Sequence, residues 1–512
     1  MQRLLQLPLF RKEGTQYAFV VVLTVIILTG MGETLLSSPA HFAGLLVAAA
    51  AAVLAIANYR LALLLFTAFL FAYEEFNLVS QEAFVEENIS NTVLAVKVLG
   101  FALMDVLSLL LLIPVLLREW RWSVAHGRVR ILRADTWLLP LILVWVFGMM
   151  TGWFSMMSFS AYTWDLRMLG HVLVFYYIYS RTFTERRDYT AAIVLGAVVF
   201  VLKQSVFLWR YVAGTGLDMG GIRRVLLGSD LPLTAVFLCL SVAAYFIYRH
   251  ETGWKRPAAL AFSIYFTVML IAGLGKLTYL QATYSLLMIF LLHRGEISMK
   301  SVGKVVLTAG AASLLVYMVL LPPGVRETVS YALSSAFNWV DALKLYGDLS
   351  FGTRLLEIIN VWAVLQRESA VLWGLGWGAP WSEIAVHMPF DGGAFAVEEQ
   401  YSGVHVQTHI DAITIMLKVG IFGALIIYAT MLRFWTASLR QYRRIESPAE
   451  RWTLMALLLL LVIVIPNFLY FIRLKYLLGF ALAGAAAFSI NHGATHAGQT
   501  HNTGNAHTDD AE

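Results

Sequence analysis

The sequence predicts an all-α fold, a polytopic bundle of membrane helices with one large extramembrane loop. Three observations predict it. The 512 residues are 59% hydrophobic and only 13% charged, with a mean hydropathy of +0.71, whereas soluble domains carry about a quarter charged residues. Apolar runs close to the roughly 20 residues that cross a bilayer as a helix recur along nearly the whole chain. A single long polar stretch, 322–408, interrupts them. Four regions follow: an N-terminal transmembrane bundle over 1–321, a large outer loop over 322–408, C-terminal transmembrane helices over 409–490, and a disordered tail over 491–512.

About fourteen runs qualify as spans, with twelve as the lower bound, at 17–36, 42–57, 61–73, 92–116, 136–154, 168–179, 189–208, 226–248, 257–273, 277–292, 302–321, 412–432, 454–470 and 477–490. The shorter ones must borrow flanking residues. The first run follows Arg11 and Lys12, and no small-residue cleavage site follows it, so it is expected to remain attached as a helix. The one cysteine, Cys239, lies inside an apolar run, which excludes an internal disulfide and a cysteine metal cluster. Within the outer loop, 325–345 has apolar residues at helical spacing and is expected to lie on the membrane surface. The tail carries His492, His496, His501 and His507 at irregular spacing, and is expected to be solvated rather than a metal site.

Orientation follows from Lys and Arg in the short loops. The stretch 118–133 has five arginines and a histidine, 181–187 has three arginines, and 433–451 has five. All fall on one face when the runs alternate, so that face is expected to be cytoplasmic, with both termini. The stretch 74–91, with five glutamates and no Lys or Arg, falls on the opposite face with the large loop.

Charges that oppose this pattern are the informative ones. Arg210, Arg223, Arg224, Lys276, Arg326, Arg354, Arg473 and Lys475 all map to outer loops or outer helix ends. Two readings are open. Such residues snorkel to lipid headgroups, or they bind a phosphate or pyrophosphate, for which the planar guanidinium is suited. The second is favoured for Arg223, Arg224 and Arg354. Lys97, Arg167, His171, Lys203 and Lys276 interrupt apolar runs and are expected to pair with groups on other helices.

The segment His409-Ile-Asp-Ala-Ile-Thr-Ile-Met-Leu-Lys-Val-Gly420-Ile-Phe-Gly423 resembles the signature of the O-antigen ligase and O-antigen polymerase family, a histidine before an apolar helix carrying G-x-x-G. Upstream, Gly352-Thr-Arg354, the helical stretch 355–367 and Leu372-Trp-Gly374-Leu-Gly376-Trp-Gly378 resemble the family's arginine, helix and glycine-rich segment of the large periplasmic loop. Gly221-Ile-Arg223-Arg224 through Gly228-Ser-Asp230-Leu-Pro232 and Leu274-Gly-Lys276-Leu-Thr278 are weaker matches. Leu233 stands where an asparagine is usual, Ile410 likewise, and the serine and arginine of the helix start after Lys276 are absent. The resemblance covers roughly 200–440.

What the resemblance implies is a GT-C-like integral-membrane glycosyltransferase of the bacterial inner membrane. It takes a glycan from an undecaprenyl-pyrophosphate carrier at the periplasmic face and passes it to a saccharide or lipid-linked acceptor. No cofactor, metal, nucleotide sugar or nucleic acid is implied. Polymerase is slightly favoured over ligase by the helix count. Chemistry then assigns roles. His409 is the candidate base, and Arg354, with Arg223, Arg224, Arg210 and Lys276, the candidates for stabilising the departing pyrophosphate. His405 shares a face with His409 if the helix starts before Val404. Trp377 and its neighbours are either sugar-stacking platforms or interfacial aromatics. Gly420 and Gly423 are expected to allow close helix packing. The competing reading is a transporter or flippase of a glycolipid or small solute. Such folds show repeats and broken helices, whereas here the polar residues gather in one loop.

Overall fold

In a bilayer every backbone N–H and C=O must be satisfied within the protein, which leaves the helix as the default for apolar runs. The computed structural model describes residues 54, 58–72, 97–98, 101–212, 217–219, 222–224, 230–251, 253–273, 276–294, 349–387, 404–408, 410–467 and 472–490. Its helices, in chain order, are α1 (Tyr59–Ala72), α2 (Leu103–His126), α3 (Asp135–Ser155), α4 (Phe159–Thr182), α5 (Arg186–Val212), α6 (Asp230–Ile247), α7 (Lys255–Gly273), α8 (Lys276–Leu292), α9 (Leu349–Arg367), α10 (Asp411–Tyr442), α11 (Pro448–Val464) and α12 (Ile472–Ser489). Three antiparallel pairs of short strands join them: β1 (Lys97–Val98) with β2 (Phe101–Ala102), β3 (Leu217–Met219) with β4 (Ile222–Arg224), and β5 (Trp381–Ser382) with β6 (Val404–His405).

Among the described residues α3, α5, α6 and α10 are long and apolar enough to cross a membrane, so the chain is a helical membrane protein. The expected runs at 17–36 and 302–321, the surface helix at 325–345 and the tail lie outside the described residues, as does 42–57 apart from Leu54.

Helix α6 is at the centre, buried at almost every position from Asp230 to Ile247, and packs on α7, α8 and α11. Helices α4 and α12 pack tightly together, and α11 and α10 both contact α12. Helix α3, by contrast, exposes Leu139, Leu143, Met150 and Phe154, and α5 exposes Val194, Val198 and Leu202. Apolar side chains facing outward on peripheral helices are what a hydrocarbon solvent permits.

Helix limits depart from the apolar runs where local chemistry extends or stops them. Helix α4 starts at Phe159, nine residues before its apolar run, because the Ser158 hydroxyl caps it by accepting from the Ala161 N–H at 3.1 Å. Helix α11 starts at Pro448 in the first-turn position that suits proline, and stops at a 3-10 turn, Ile465–Asn467. Helix α2 begins eleven residues after the start of its expected run and continues to His126. Half of the basic stretch 118–133 is therefore helix.

The bundle has two chemically distinct ends. At one, Arg181 is buried and held by Asp135 at 2.5 Å and Glu119 at 3.7 Å. There Arg186 meets Glu450 at 2.5 Å, Arg60 meets Asp188, and His293 meets Tyr442 at 2.8 Å. At the other, Asp230 at the start of α6 is fully buried between Arg473 at 2.5 Å and Lys203 at 3.0 Å. Lys203 thus has the expected interhelical partner. Arg473, grouped in the sequence with outward basic residues, is itself fully buried.

Removing one partner of a buried ion pair costs about 3–5 kcal/mol because the other charge stays behind. Asp230→Ala removes the carboxylate that two cations share, whereas Arg473→Ala leaves Asp230 with Lys203. Thermal unfolding of the purified chain in detergent is therefore expected to show a larger loss of Tm for Asp230→Ala than for Arg473→Ala.

Candidate functional site

The glycine-rich stretch 371–381 does not lie over the bundle; its backbone is threaded into it. Gly374, Gly376 and Gly378 all have φ between 74° and 92°, a left-handed region that glycine enters without steric cost. With that geometry the chain sends alternate backbone groups to different helices. The Leu375 N–H donates to Leu417 O at 2.8 Å and the Gly376 N–H to Lys418 O at 2.7 Å, both on α10. The Trp377 N–H donates to Gly148 O on α3 at 2.9 Å, and Gly378 O accepts from the Met157 N–H at 3.0 Å.

The partner of this loop is a break in α10. Gly420 has φ 68° and ψ −176°, so α10 is two helical segments meeting at one extended residue. Beyond the break, the Ile421 and Phe422 N–H groups donate to Val371 O and Leu372 O at 3.0 and 3.3 Å. The carbonyls and N–H groups freed by the break are thus taken up by loop backbone, as irregular backbone at membrane depth requires. Gly420 was expected to serve close helix packing; its role is to interrupt the helix. Gly423 does serve packing, against Val419 and Val144.

One ion pair locks this junction. Lys418 and Asp165 are both fully buried, 2.7 Å apart. The ammonium also donates to Ala379 O at 2.6 Å and Val406 O at 2.8 Å, and Asp165 Oδ2 accepts from the Gly378 N–H at 2.6 Å. The pair joins α4, α10, the glycine loop and the strand before α10. Neither Lys418 nor the pairing of Asp165 was singled out from sequence, although a lone lysine in the apolar run 412–432 was a visible signal.

The expected site residues distribute unevenly. Trp377 is buried, and its indole N–H donates to Trp145 O at 3.0 Å. It is therefore a packing element and not an accessible stacking platform. Trp373 is exposed beside Phe147 and Phe422. His405 lies in β6 and not on a helix with His409, since α10 begins at Asp411. It is buried, stacked on Trp381 with ring centroids 4.4 Å apart, and paired with Glu383 at 2.9 Å. Arg354 is exposed on α9. Arg223 and Arg224 stand in β4, with Asp218 opposite Arg223 in register. Arg210 falls in the last turn of α5 and Lys276 opens α8. His409 lies outside the described residues, but its neighbours are fixed. The Thr408 N–H donates to the Thr414 hydroxyl at 3.1 Å, and the two hydroxyls are 2.9 Å apart.

Helix α9 is tied to the same region. Asn360 accepts from the Ala385 and Val386 N–H groups at 2.9 and 3.0 Å and donates to Val386 O at 2.7 Å. Among the described residues, no three His, Cys, Asp or Glu side chains converge as metal ligands. The chain around β6 is thus held on one side by Lys418, through Val406 O, and on the other by β5.

No family model, no curated protein and no solved structure matches this chain.

A Cβ on Gly376 would lie 2.0 Å from the Gly152 nitrogen, so Gly376→Ala is expected to prevent the loop from seating and to abolish the monodisperse folded peak in detergent size-exclusion. Gly127 has φ 65° with nothing within 4 Å, and Gly127→Ala is expected to cost only the left-handed strain of about 1–2 kcal/mol. Lys418→Met leaves Asp165 buried without its cation, for an expected loss of about 3–5 kcal/mol. Combining it with Asp165→Asn, which keeps an acceptor for Gly378, is expected to recover part of that loss in the same unfolding measurement.

Proposed function

We propose that the chain is an integral-membrane glycosyltransferase that transfers or polymerises a glycan carried on undecaprenyl pyrophosphate, working at the periplasmic face of the inner membrane. The observation that carries this is the joining of two motifs. The glycine-rich segment and the segment from His409 to Gly423, which bear the resemblance to the O-antigen ligase and polymerase family, are some forty residues apart in sequence, yet they hydrogen-bond to each other through Leu375, Gly376 and Ile421. A family signature that forms one structural unit is better support than two matched strings.

In the proposed reaction an acceptor hydroxyl oxygen attacks the anomeric carbon of the donor. The bond from that carbon to the pyrophosphate oxygen breaks, and the lipid pyrophosphate departs with the electron pair. His409 takes the hydroxyl proton. Arg354, Arg223 and Arg224, with Arg210 and Lys276, supply the positive charge that the leaving group needs. The fourteen-span arrangement, the GT-C-like fold, the cytoplasmic termini and the preference for polymerase over ligase belong to the same proposal.

The break at Gly420 also favours a second reading, a transporter or flippase, since discontinuous helices build many transport sites. The loop backbone fills this break, however, instead of leaving its polar groups to line a cavity.

Replacing His409 or Arg354 by alanine in the native host, with membrane abundance checked by immunoblot, is expected to abolish or shorten the surface glycan on a gel. Wild-type glycan from both variants at normal protein level would exclude the transferase.

A further inference from the structure

Helices α2, α3 and α4 line an open cavity of about 400 Å³, within the range that holds small ligands. Its walls are mostly apolar, from Leu109, Leu112, Leu173 and Trp145, and Leu109 at the rim is exposed. Its polar groups are few and specific. Asp105 holds Arg167 at 3.2 Å and His171 at 3.3 Å, and all three line the cavity. The carboxylate faces the His171 Nε2, and the buried Nδ1 has no hydrogen-bond partner among the described residues. The Arg167 side chain remains 36% exposed. Lys475, on α12, lies within electrostatic range of His171, and the Tyr476 ring packs on the imidazole with centroids 4.9 Å apart.

Ionisable residues within a span face the bundle interior or a cavity and mark a ligand or substrate path. A guanidinium with open donors suits the oxygens of a phosphate, whereas the His171 Nε2–H faces Asp105. The leucine walls suit an acyl or isoprenoid chain. We propose that this cavity binds a membrane lipid with a phosphate headgroup, the chain lying against Leu109, Leu112 and Leu173 and the phosphate against Arg167. The site does not rest on the transferase reading and uses none of its residues.

Gly170 offers a direct probe. It lines the cavity, and the nearest atom to a Cβ there is on Trp145, at 3.4 Å, so Gly170→Leu fills the space. The full chain is titrated by native mass spectrometry from detergent with phosphatidylglycerol, with diacylglycerol of the same chains, which lacks the phosphate, and with glycerol phosphate. The wild type is expected to prefer phosphatidylglycerol by about tenfold, one charge-assisted contact's worth. Arg167→Gln is expected to remove the preference, and Gly170→Leu the bound lipid. Where Arg167→Gln does not fold, Asp105→Asn with Arg167→Gln removes both charges together and is expected to bind the two lipids equally. Equal binding of the two lipids by the wild type overturns the proposal. Wild-type occupancy in Gly170→Leu, or displacement of phosphatidylglycerol by glycerol phosphate alone, overturns it as well.

Discussion

The buried pair of Lys418 and Asp165 is the constraint on which this architecture depends. A full charge in hydrocarbon is tolerated only when paired and hydrogen-bonded, and Lys418 spends all three ammonium donors, on Asp165, Ala379 and Val406. Those acceptors come from a helix, a loop and the approach to a strand. The pair therefore fixes where the loop enters the bundle and where α10 breaks. Breaking a helix at Gly420 frees backbone groups, and the glycine loop is the only source of partners among the described residues that reaches them.

The ends of the bundle solve a related problem in different ways. At one end, arginines meet carboxylates on neighbouring helices, some near the surface, as Arg186 does Glu450, and some buried, as Arg181 does Asp135. At the other, the pairs are buried: Asp230 with Arg473 and Lys203, and Asp165 with Lys418. Buried pairs of this kind are weak evidence for stability and better evidence that particular helices must meet in a particular register. Asp230, at the start of α6, meets Lys203 on α5 and Arg473 on α12.

Most helices were legible because apolar length is close to a sufficient condition for a span. The runs at 136–154, 257–273 and 277–292 lie within two residues of α3, α7 and α8 at each end. Limits were misread where polar chemistry decides them, as with the Ser158 cap and Pro448. Charge pairing was legible in kind for Arg167, His171 and Lys203, but the partners were not, because Asp105 and Asp230 sit singly inside apolar runs. The glycine spacing marked a special backbone, yet nothing in one sequence says that three left-handed residues fold inward rather than over the surface. His405 was misplaced for a similar reason: its pairing with Glu383 and Trp381 is between β5 and β6, separated by 21 residues at the nearest, and strand pairs of two residues leave no periodicity to read.

The threading of the glycine loop also orders the assembly of the chain. Synthesis runs from the N-terminus, so α3 and α4 are made before the loop, and α10 after it. The Trp377 and Gly378 N–H groups find acceptors on helices already made, Gly148 and Asp165, but the Leu375 and Gly376 N–H groups wait for Leu417 and Lys418. Asp165 waits as well, uncompensated by Lys418 until α10 is inserted. The loop is thus a seam that closes late, and the same contacts that hold the finished molecule together report whether its last fifth has arrived.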